Sequence, residues 1–403
     1  MSARPGLGRP LVALLAAACG LSVACITFAE PLLDDIADEF GISHAAVGTI
    51  TTVTQAGYGL GLIFLVPLGD LVDRRGLVVV HTLLAAAALL AVAQAWSAPV
   101  LFAAFTAVGL LAVVTQILVA HAALLAGQSE RGRVIGLVTS GVITGILLAR
   151  VVAGTLADLL GWRAVYLVAA GAMFVVAMLL LALLLPGPRP AVVLTYPQLI
   201  RSLVSLFVDV PVLRIRATLA SLIFAATAVL WTPLVLPLTK GPFLLTRMQV
   251  GLFGLAGAAG AIGAAVAGRL ADRGHIQRTT GVGLLLMLAA WLPILLMHRT
   301  LAFLAFGALL ISFGLQAVHV SNQSLIYATR PDARSRLVAG YMVFYSIGSA
   351  LGAVASTLVY ARAGWPGVCC AGGALSAVAA VFWWLTRHVA PGAVPPRSGD
   401  TAP

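Results

Sequence analysis

The stretch Gly69-Asp70-Leu71-Val72-Asp73-Arg74-Arg75-Gly76 forms a hydrophilic link between two long apolar runs. A degenerate copy, Gly268-Arg269-Leu270-Ala271-Asp272-Arg273-Gly274, follows about two hundred residues later. Each copy comes directly after the second long apolar run of its half of the chain. Similar loops in corresponding places predict that the chain is an internal duplication.

The apolar runs on either side of these loops identify the class of protein. Of the 403 residues, 61% are hydrophobic and 9% are charged, which is far outside the composition of soluble globular proteins. A helix that crosses a membrane needs about 20 apolar residues. The sequence predicts twelve such spans, at 11–30, 47–68, 78–96, 100–126, 134–157, 164–185, 212–238, 248–267, 280–298, 301–328, 337–361 and 366–386. Because the runs do not alternate apolar and polar residues as barrel strands do, we predict an all-α polytopic membrane protein.

Basic residues are distributed unequally between the predicted loops. If both termini are cytoplasmic, 18 basic residues, Arg216 among them, fall in cytoplasmic segments and 5 fall in outer segments, while Arg150 lies within a span. An excess of Lys and Arg on the cytoplasmic side orients helical membrane proteins. The net charge of +11 therefore follows membrane topology rather than nucleic-acid binding. We predict a multi-pass protein of a bacterial inner membrane.

A further pair of landmarks supports the duplication. The segments Gly161-Trp162-Arg163 and Gly364-Trp365-Pro366 stand 203 residues apart, each after a predicted span. Two six-helix halves related by an axis along the membrane normal would place them so. The predicted units are a first half at 1–185, a cytoplasmic linker at 186–211, a second half at 212–386 and a short tail at 387–403.

The sequence contains no signature of enzymatic or ATP-driven chemistry. It has no Walker-type phosphate loop, and its Gly-rich segment 251–263 lies inside an apolar run without a Lys-Ser/Thr pair. The histidines lack zinc-ligand spacing. Cys19, Cys25, Cys369 and Cys370 lie in or beside apolar runs, where packing is their expected role. We therefore expect neither enzyme activity, nor a cofactor, nor a metal site.

The hydrophilic loop resembles the loop between helices two and three of the major facilitator superfamily of transporters, whose pattern is G-x-L-A-D-R-x-G-R-K/R. The matching positions are Gly69, Leu71, Asp73, Arg74 and Gly76, whereas Leu77 and Val78 replace the final basic pair. The fifth span is similar to the antiporter pattern of that superfamily, G-x8-G-x3-G-P-x2-G-G. Its matching glycines are Gly136, Gly145 and Gly154, with Ala149 and Arg150 at the Gly-Pro position.

The resemblance implies two pseudo-symmetric halves that alternate in access around a site near the membrane midplane. It assigns a conformational switch to the two hydrophilic loops, through Gly69, Asp73, Arg74, Gly76, Asp272 and Arg273. In the superfamily the loop aspartate holds the halves together by meeting a helix end of the other half or a neighbouring arginine. The fifth span also carries a ridge of small residues at every fourth position, which includes Gly141 and Gly145. The resemblance implies that this span, with Gly154, packs tightly at the interface of the halves.

Polar residues inside the apolar spans are the candidates for a substrate or proton path. These candidates are Glu30, Gln55, Gln116, His121, Arg150, Gln316, His319 and Gln323. The last three share one stripe of the tenth span with Ser312 and Tyr327, and such a stripe indicates the lining of a cavity. Glu30 and His319 are the leading candidates for proton carriers, since carboxyl and imidazole groups can titrate.

Two features of the first half leave alternatives open. Arg150 near the middle of a span is either a structural partner of a carboxylate or of carbonyls, or a contact for an anionic substrate. The loop at 32–43 holds four acidic residues and no basic one, and we expect it to be a solvated loop. It resembles the first loop of a bacterial drug-efflux-like branch of the superfamily, in which Gln is usual at the position of Glu30.

These observations predict a secondary transporter of a small organic molecule, working as a monomer in the lipid bilayer by proton-coupled export. Uptake or uncoupled facilitation of a metabolite is an alternative. So are a channel and a membrane sensor that uses a transporter scaffold without transporting. Small-molecule substrate and protons are the expected partners, and nucleic acid is not.

Overall fold

The computed structural model describes residues 9–43, 46–125, 131–184, 195–240, 242–329 and 334–388, which form helices without any strand. The α-helices are α1 (Arg9–Thr27), α2 (Leu33–Phe40), α3 (Gly48–Phe64), α4 (Arg74–Ala93), α5 (Ala98–Ala112), α6 (Val114–Leu125), α7 (Arg131–Leu160), α8 (Trp162–Leu183), α9 (Tyr196–Asp209), α10 (Pro211–Trp231), α11 (Val235–Thr239), α12 (Arg247–Leu252), α13 (Gly257–Asp272), α14 (Ile276–Leu295), α15 (Leu301–Thr329) and α16 (Arg334–Thr386). Turns of 3-10 helix occur at Glu30–Leu32, Val66–Asp70, Phe253–Ala256 and Leu296–His298. The prediction of an all-α protein is confirmed.

Helices of membrane-spanning length dominate the described chain. Eleven helical stretches are long and apolar enough to cross a bilayer. The last, Arg336–Thr386, has 51 residues and is about 75 Å long, more than twice the hydrocarbon thickness of about 30 Å. It breaks at Gly364, where φ is 61° and ψ is −161°. A glycine tolerates this conformation, and Pro366 suits the first turn of the helix that follows. The stretch therefore provides two spans, which brings the total to the predicted twelve.

The two ends of the helical bundle differ in chemistry. We call the end that carries Asp34, Asp35 and Arg247 the Asp34 face. We call the opposite end, which carries the loop around Asp73 and the helix α9, the Asp73 face. Consecutive spans run in opposite directions between these faces, so that α1 ends at the Asp34 face and α4 begins at the Asp73 face.

The acidic segment after the first span is a helix rather than the solvated loop that we expected. Its apolar residues Leu33, Ile36 and Ala37 share one side of α2 and are almost fully buried. The acidic residues project from the other side, and Asp34 and Asp35 pair with basic residues of the second half. The expectation was wrong because apolar positions three and four residues apart form a helical face.

Glycines allow the two halves to approach closely near the Asp34 face. A Cβ atom on Gly154 of α7 would collide with the backbone of Arg247 at the start of α12. A Cβ on Gly251 of α12 would in turn meet the backbone of Arg150. Small residues permit this kind of backbone contact between membrane helices. The α7–α12 contact is therefore one place where the halves are joined.

The segment between the halves contains α9, which lies within the predicted linker at 186–211. The hydroxyl of Tyr196 at its start donates a hydrogen bond of 2.8 Å to the carbonyl of Phe64 in the first half. The next helix, α10, holds Arg216, which we predicted in a cytoplasmic segment. Arg216 is instead inside the helix and only 2% exposed. One basic residue lowers the mean hydropathy of a long apolar helix only slightly, so such a helix can contain Arg216. The distribution of charge among the loops therefore could not locate this residue.

Candidate substrate cavity

A cavity of about 200 Å³ lies between the two halves. Helices α1, α3 and α7 of the first half and α10, α13, α15 and α16 of the second half contribute to its wall. Its lining is mostly apolar. The polar and aromatic side chains of the lining include Glu30, Thr51, Gln55, Arg150, Phe224, Trp231, Ser312, Gln316 and Tyr345. A mostly apolar cleft with a few convergent polar groups is the usual form of a small-molecule site.

An ion pair within the first half occupies one side of this cavity. Glu30 begins the 3-10 turn after α1, and its Oε2 accepts a hydrogen bond from Nε of Arg150 in α7. The two side chains are 14% and 11% exposed, respectively. The guanidinium also lies 4.3 Å from the centre of the Trp231 ring, which belongs to the second half. Of the two alternatives for Arg150, the structure shows the pairing with a carboxylate, and it places that pair at the cavity wall.

Glycines of the second half make room for Arg150. A Cβ on Gly254 would lie 3.0 Å from Cδ of Arg150, and the Arg150 backbone faces Gly251. The arginine is therefore held by a carboxylate, an aromatic ring and two glycines. Sequence reasoning missed Trp231, Gly251 and Gly254 as parts of this site, although all three belong to segments that it had noted. An aromatic residue or a glycine within an apolar run carries no signal of its own.

Helix α3 presents two buried polar groups to the cavity. Thr51 and Gln55 are one helical turn apart, and they are 6% and 7% exposed. Neither Oγ1 of Thr51 nor Oε1 of Gln55 has a hydrogen-bond partner among the described residues. Buried polar atoms are nearly always paired with protein groups, water or a ligand. These two atoms are therefore suited to bind a substrate or an ordered water.

Of the polar stripe predicted on the tenth span, only the members nearest the N-terminus of α15 line the cavity. Ser312 and Gln316 line the wall. His319 lies behind the ring of Phe224, with the ring centres 5.3 Å apart. Its Nδ1 is hydrogen-bonded to the hydroxyl of Tyr341 at 2.9 Å. The stripe continues for several turns along α15, which has 29 residues, and its later members lie within the second half instead of at the cavity.

The remaining predicted path residues also lie away from the cavity wall. Gln323 approaches Nε2 of His319 at 3.2 Å. Gln116 donates a hydrogen bond of 3.3 Å to the hydroxyl of Tyr58. His121 is fully buried in α6. The structure thus brings together four of the eight predicted path residues, namely Glu30, Gln55, Arg150 and Gln316, while the side chain of Tyr327 lies outside the described residues.

Ion pairs connect the two halves at the Asp34 face, beyond the cavity. Asp34 of α2 pairs with Lys240 at 3.0 Å, and Asp35 makes two hydrogen bonds to the guanidinium of Arg247. In each pair the acid belongs to the first half and the base to the second. Three ion pairs between the halves lie at this face, from Asp34, Asp35 and Asp158.

Asp158 near the end of α7 reinforces the same contact. Its carboxylate accepts hydrogen bonds from the backbone N–H groups of Arg247 and Met248, at 3.2 and 2.9 Å. It also lies 3.5 Å from the guanidinium of Arg247. Free N–H groups and the helix dipole favour an anion at the N-terminus of a helix. Asp158 therefore caps the helical stretch that begins with α12 and continues into the 3-10 turn Phe253–Ala256. We call the five residues Asp34, Asp35, Asp158, Lys240 and Arg247 the Asp34-face latch.

The loop around Asp73 makes hydrogen bonds within itself. The carboxylate of Asp73 accepts a hydrogen bond of 2.9 Å from the backbone N–H of Gly76, and so caps α4. Nε of Arg74 donates one of 2.6 Å to the carbonyl of Gly69. In the second copy, the side chain of Asp272 lies outside the described residues. Arg273 is exposed beside His275.

The glycines of α7 contact both halves. Gly141 packs on the backbone of Ala16, and Gly145 packs on Gly20, so both face α1 of the same half. Gly154 alone meets the second half, at Arg247. The resemblance implied packing at the interface of the halves, and among these three glycines only Gly154 has that arrangement.

Comparison with known proteins identifies the family to which this arrangement belongs. The chain matches the Major Facilitator Superfamily over residues 12–326 and again over residues 236–402. The chain belongs to the major facilitator superfamily of transporters. It is 45% identical over 384 residues to the transporter YgaY of Escherichia coli O157:H7, covering 95% of this chain and 97% of that one.

A more distant relative and a solved structure extend the comparison. The chloramphenicol resistance protein of Streptomyces lividans is 28% identical over 399 residues, covering 96% of this chain and 98% of that one. A bacterial homologue of the human lysosomal transporter Spinster, crystallised in an inward-facing and unoccupied conformation, superposes with a TM-score of 0.77. That match covers 94% of this chain and 97% of the other at 15% identity. The superposition supports the superfamily fold, and the name of the Escherichia coli relative describes a transporter.

Proposed function

We propose that this protein is a secondary transporter of the bacterial inner membrane that exports a small uncharged organic molecule in exchange for protons. The observation that carries the proposal is the ion pair between Glu30 and Arg150 in the wall of a cavity between the halves. The proposal places the protein in the drug-efflux-like branch and both of its termini in the cytoplasm. The name of the Streptomyces relative, a chloramphenicol resistance protein, supports export.

The chemistry of the cavity favours an uncharged substrate. Glu30 and Arg150 neutralise each other, and the remaining lining is uncharged. The rings of Phe224, Trp231 and Tyr345 provide apolar and aromatic surface. The unpartnered oxygens of Thr51 and Gln55 can exchange hydrogen bonds with substrate polar groups. An aromatic molecule with hydroxyl or amide groups matches these surfaces.

Glu30 is the proton carrier in this proposal. The Glu30–Arg150 ion pair requires an ionised carboxylate, so a proton on Glu30 removes the pair's attraction. Arg150 then moves relative to Trp231, and the wall that the substrate contacts changes. Substrate binds when Glu30 and Arg150 are paired. Binding of a proton to Glu30 separates the pair and displaces the substrate. Each ligand thus opposes the other, which is the requirement for exchange.

Access to the cavity alternates by rearrangement of the two halves. In the state described here, the Asp34-face latch joins the halves on one side of the cavity. Transport requires that the latch open while the halves close at the Asp73 face. We assign that closure to the loop of Gly69, Asp73, Arg74 and Gly76, and to its second copy at Asp272 and Arg273.

Proton movement in liposomes tests the proposal. Purified protein would be reconstituted with a pH dye inside, and chloramphenicol and a set of uncharged aromatic amides would be added outside. We expect the wild-type protein to move protons against the direction of the compound. Glu30→Gln should lose this proton movement but retain exchange of labelled compound for unlabelled compound, because an amide oxygen can still accept a hydrogen bond from Arg150.

Glu39→Gln is the matched control for this experiment. Glu39 also forms an ion pair with an arginine, Arg163, but it lies at the surface away from the cavity. This variant should retain proton coupling. Proton movement that survives in Glu30→Gln would remove Glu30 as the carrier. Binding of compounds without any flux would favour the sensor alternative.

Uptake of an organic anion with a proton is a second candidate, favoured by one observation. Arg150 is the only cationic residue of the cavity lining in the described chain. A proton on Glu30 would free the guanidinium of Arg150 for a carboxylate substrate. The same liposomes distinguish the two functions when benzoate replaces the uncharged amides. Protons that move in the same direction as the compound would establish uptake, and exchange would then be rejected.

A further inference from the structure

A second concave site lies on the outer surface of the second half, at the Asp73 face. It is a groove of about 340 Å³ between α13, α14 and α15. It shares no lining residue with the substrate cavity. Two arginines and a histidine line one end of the groove, but the surface that faces into the groove is almost entirely apolar. The proposed transport function does not use it.

The basic end of the groove lies where two spans meet the membrane surface. Arg273 follows directly after α13, His275 precedes α14, and Arg278 lies in the first turn of α14. All three side chains are exposed. The described lining contains no acidic residue, and neither arginine makes an ion pair with an acid in the described chain.

The start of α14 adds to this positive potential. The helix has 20 residues, and no side chain caps its first N–H groups. The N-terminus of a helix carries a partial positive charge and free hydrogen-bond donors, and it favours phosphate. Two arginines, a histidine and these N–H groups therefore lie at the rim of one end of the groove, with the charged groups exposed. An anion with several oxygen atoms would satisfy them.

The apolar part of the groove begins one turn from the charged end. Val282 follows Arg278 by about 6 Å along α14, and Val266 precedes Arg273 by about 10 Å along α13. Val282 is 56% exposed and Val266 is 36% exposed, and Phe313 of α15 also lines the groove. Both valines lie within membrane-spanning stretches. Hydrocarbon chains of the bilayer are the natural neighbours of such a surface.

We propose that this groove is a binding site for an anionic phospholipid of the surrounding bilayer. The phosphate lies between Arg273, His275 and Arg278, and one acyl chain lies along Val266 and Val282. Basic pockets between membrane helices at the membrane surface recognise anionic headgroups in this way. A zwitterionic phospholipid supplies the same hydrocarbon but carries no net charge. Free phosphate would use the charged end alone.

Native mass spectrometry of the full-length protein in detergent tests the proposal. Phosphatidylglycerol and phosphatidylethanolamine with identical acyl chains would be titrated separately, and bound lipids would be counted. We expect tighter binding of phosphatidylglycerol. The double variant Arg273→Gln/Arg278→Gln should weaken that binding about 25-fold, since each basic residue near an anionic lipid contributes about a factor of five. This experiment does not measure transport, so its outcome is independent of the proposed function.

Two further variants separate the charged end from the apolar end. Arg201→Gln/Arg214→Gln removes two exposed arginines from the same face outside the groove, and it should bind phosphatidylglycerol like the wild type. Val282→Trp fills the groove without changing its charge, and it should also weaken binding. Equal loss in the two double variants, or equal binding of the two lipids, would overturn the proposal. So would unchanged binding in Val282→Trp together with displacement by inorganic phosphate, which would indicate a site for free anions.

Discussion

At the scale of single residues, the cavity can be distinguished from ordinary helix interior by hydrogen bonds. Thr51 and Thr54 lie on the same helix and are both buried. The hydroxyl of Thr54 donates a hydrogen bond of 2.8 Å to the carbonyl of Ile50, whereas that of Thr51 has no partner among the described residues and faces the cavity. The same side chain therefore serves the fold at one position and is left for a ligand at the other.

This difference predicts opposite effects of one substitution at two positions. Thr51→Val should weaken substrate binding by up to about tenfold, because one hydrogen bond contributes about 0.5–1.5 kcal/mol. The empty protein should unfold at an equal or higher temperature, because an unpartnered hydroxyl is removed from the interior. Thr54→Val should leave substrate binding unchanged and should lower the unfolding temperature. Calorimetric titration and thermal unfolding in detergent measure both quantities, and normal binding by Thr51→Val would exclude it from the site.

The sequence identified some residues of the cavity and missed others for a physical reason. Glu30, Gln55 and Arg150 were predictable because polar groups are costly in hydrocarbon and need a reason to be there. Trp231 was not predictable, since aromatic residues are common in membrane helices and only the fold brings its ring onto the guanidinium. His319 has the same polar character as the cavity residues but meets Tyr341 instead. Polarity indicates that a partner exists, and only the structure shows which one.

At the scale of secondary structure, long helices were easier to predict than short ones. A run of about 20 apolar residues has one stable form in a bilayer, and the predicted spans correspond to the helices observed. The eight residues of α2 carry too many acids for that signal. The helix forms because Leu33 and Ile36 bury one face, and because ion pairs with the second half receive its acids. Those pairs join positions more than 200 residues apart, so the sequence of the segment itself does not reveal them.

The cap that Asp158 provides for α12 allows a prediction of how strongly the α7–α12 contact holds the halves together. Asp158→Asn should favour opening at the Asp34 face by about 1 kcal/mol, or about fivefold in population, through loss of the charge at the helix N-terminus. Spin labels at Trp96 and Arg299, one from each half, would report the separation in a protein whose four cysteines are replaced by alanine. We expect a larger fraction of long distances in the variant.

Asp38→Asn is the control for this measurement. It removes an exposed carboxylate from the same face, and Asp38 makes no ion pair with a described residue. This variant should show the wild-type distance distribution. If Asp158→Asn showed the same distribution as Asp38→Asn, the cap would have no part in holding the halves.

At the scale of the whole molecule, the two faces differ in how their carboxylates are used. At the Asp34 face, carboxylates of the first half bind cations and a helix N-terminus of the second half. At the Asp73 face, the carboxylate of Asp73 caps its own helix. The same chemical interaction therefore lies between the halves at one face and within a half at the other. The proposed switch between access states would use such an exchange, with Asp73 meeting the second half when the latch opens.

This exchange predicts that the charge of Asp73 matters for turnover and not for folding. Asparagine caps helices about as well as aspartate, so Asp73→Asn should unfold at the wild-type temperature. It should bind substrate with wild-type affinity, because no residue of the loop lines the cavity. Its transport rate in liposomes should fall about fivefold if the lost charge contributes about 1 kcal/mol at a helix end of the other half. Asp73→Ala, which loses the cap as well, should be slower and less stable. A wild-type transport rate in Asp73→Asn would confine Asp73 to the capping role that the present state shows.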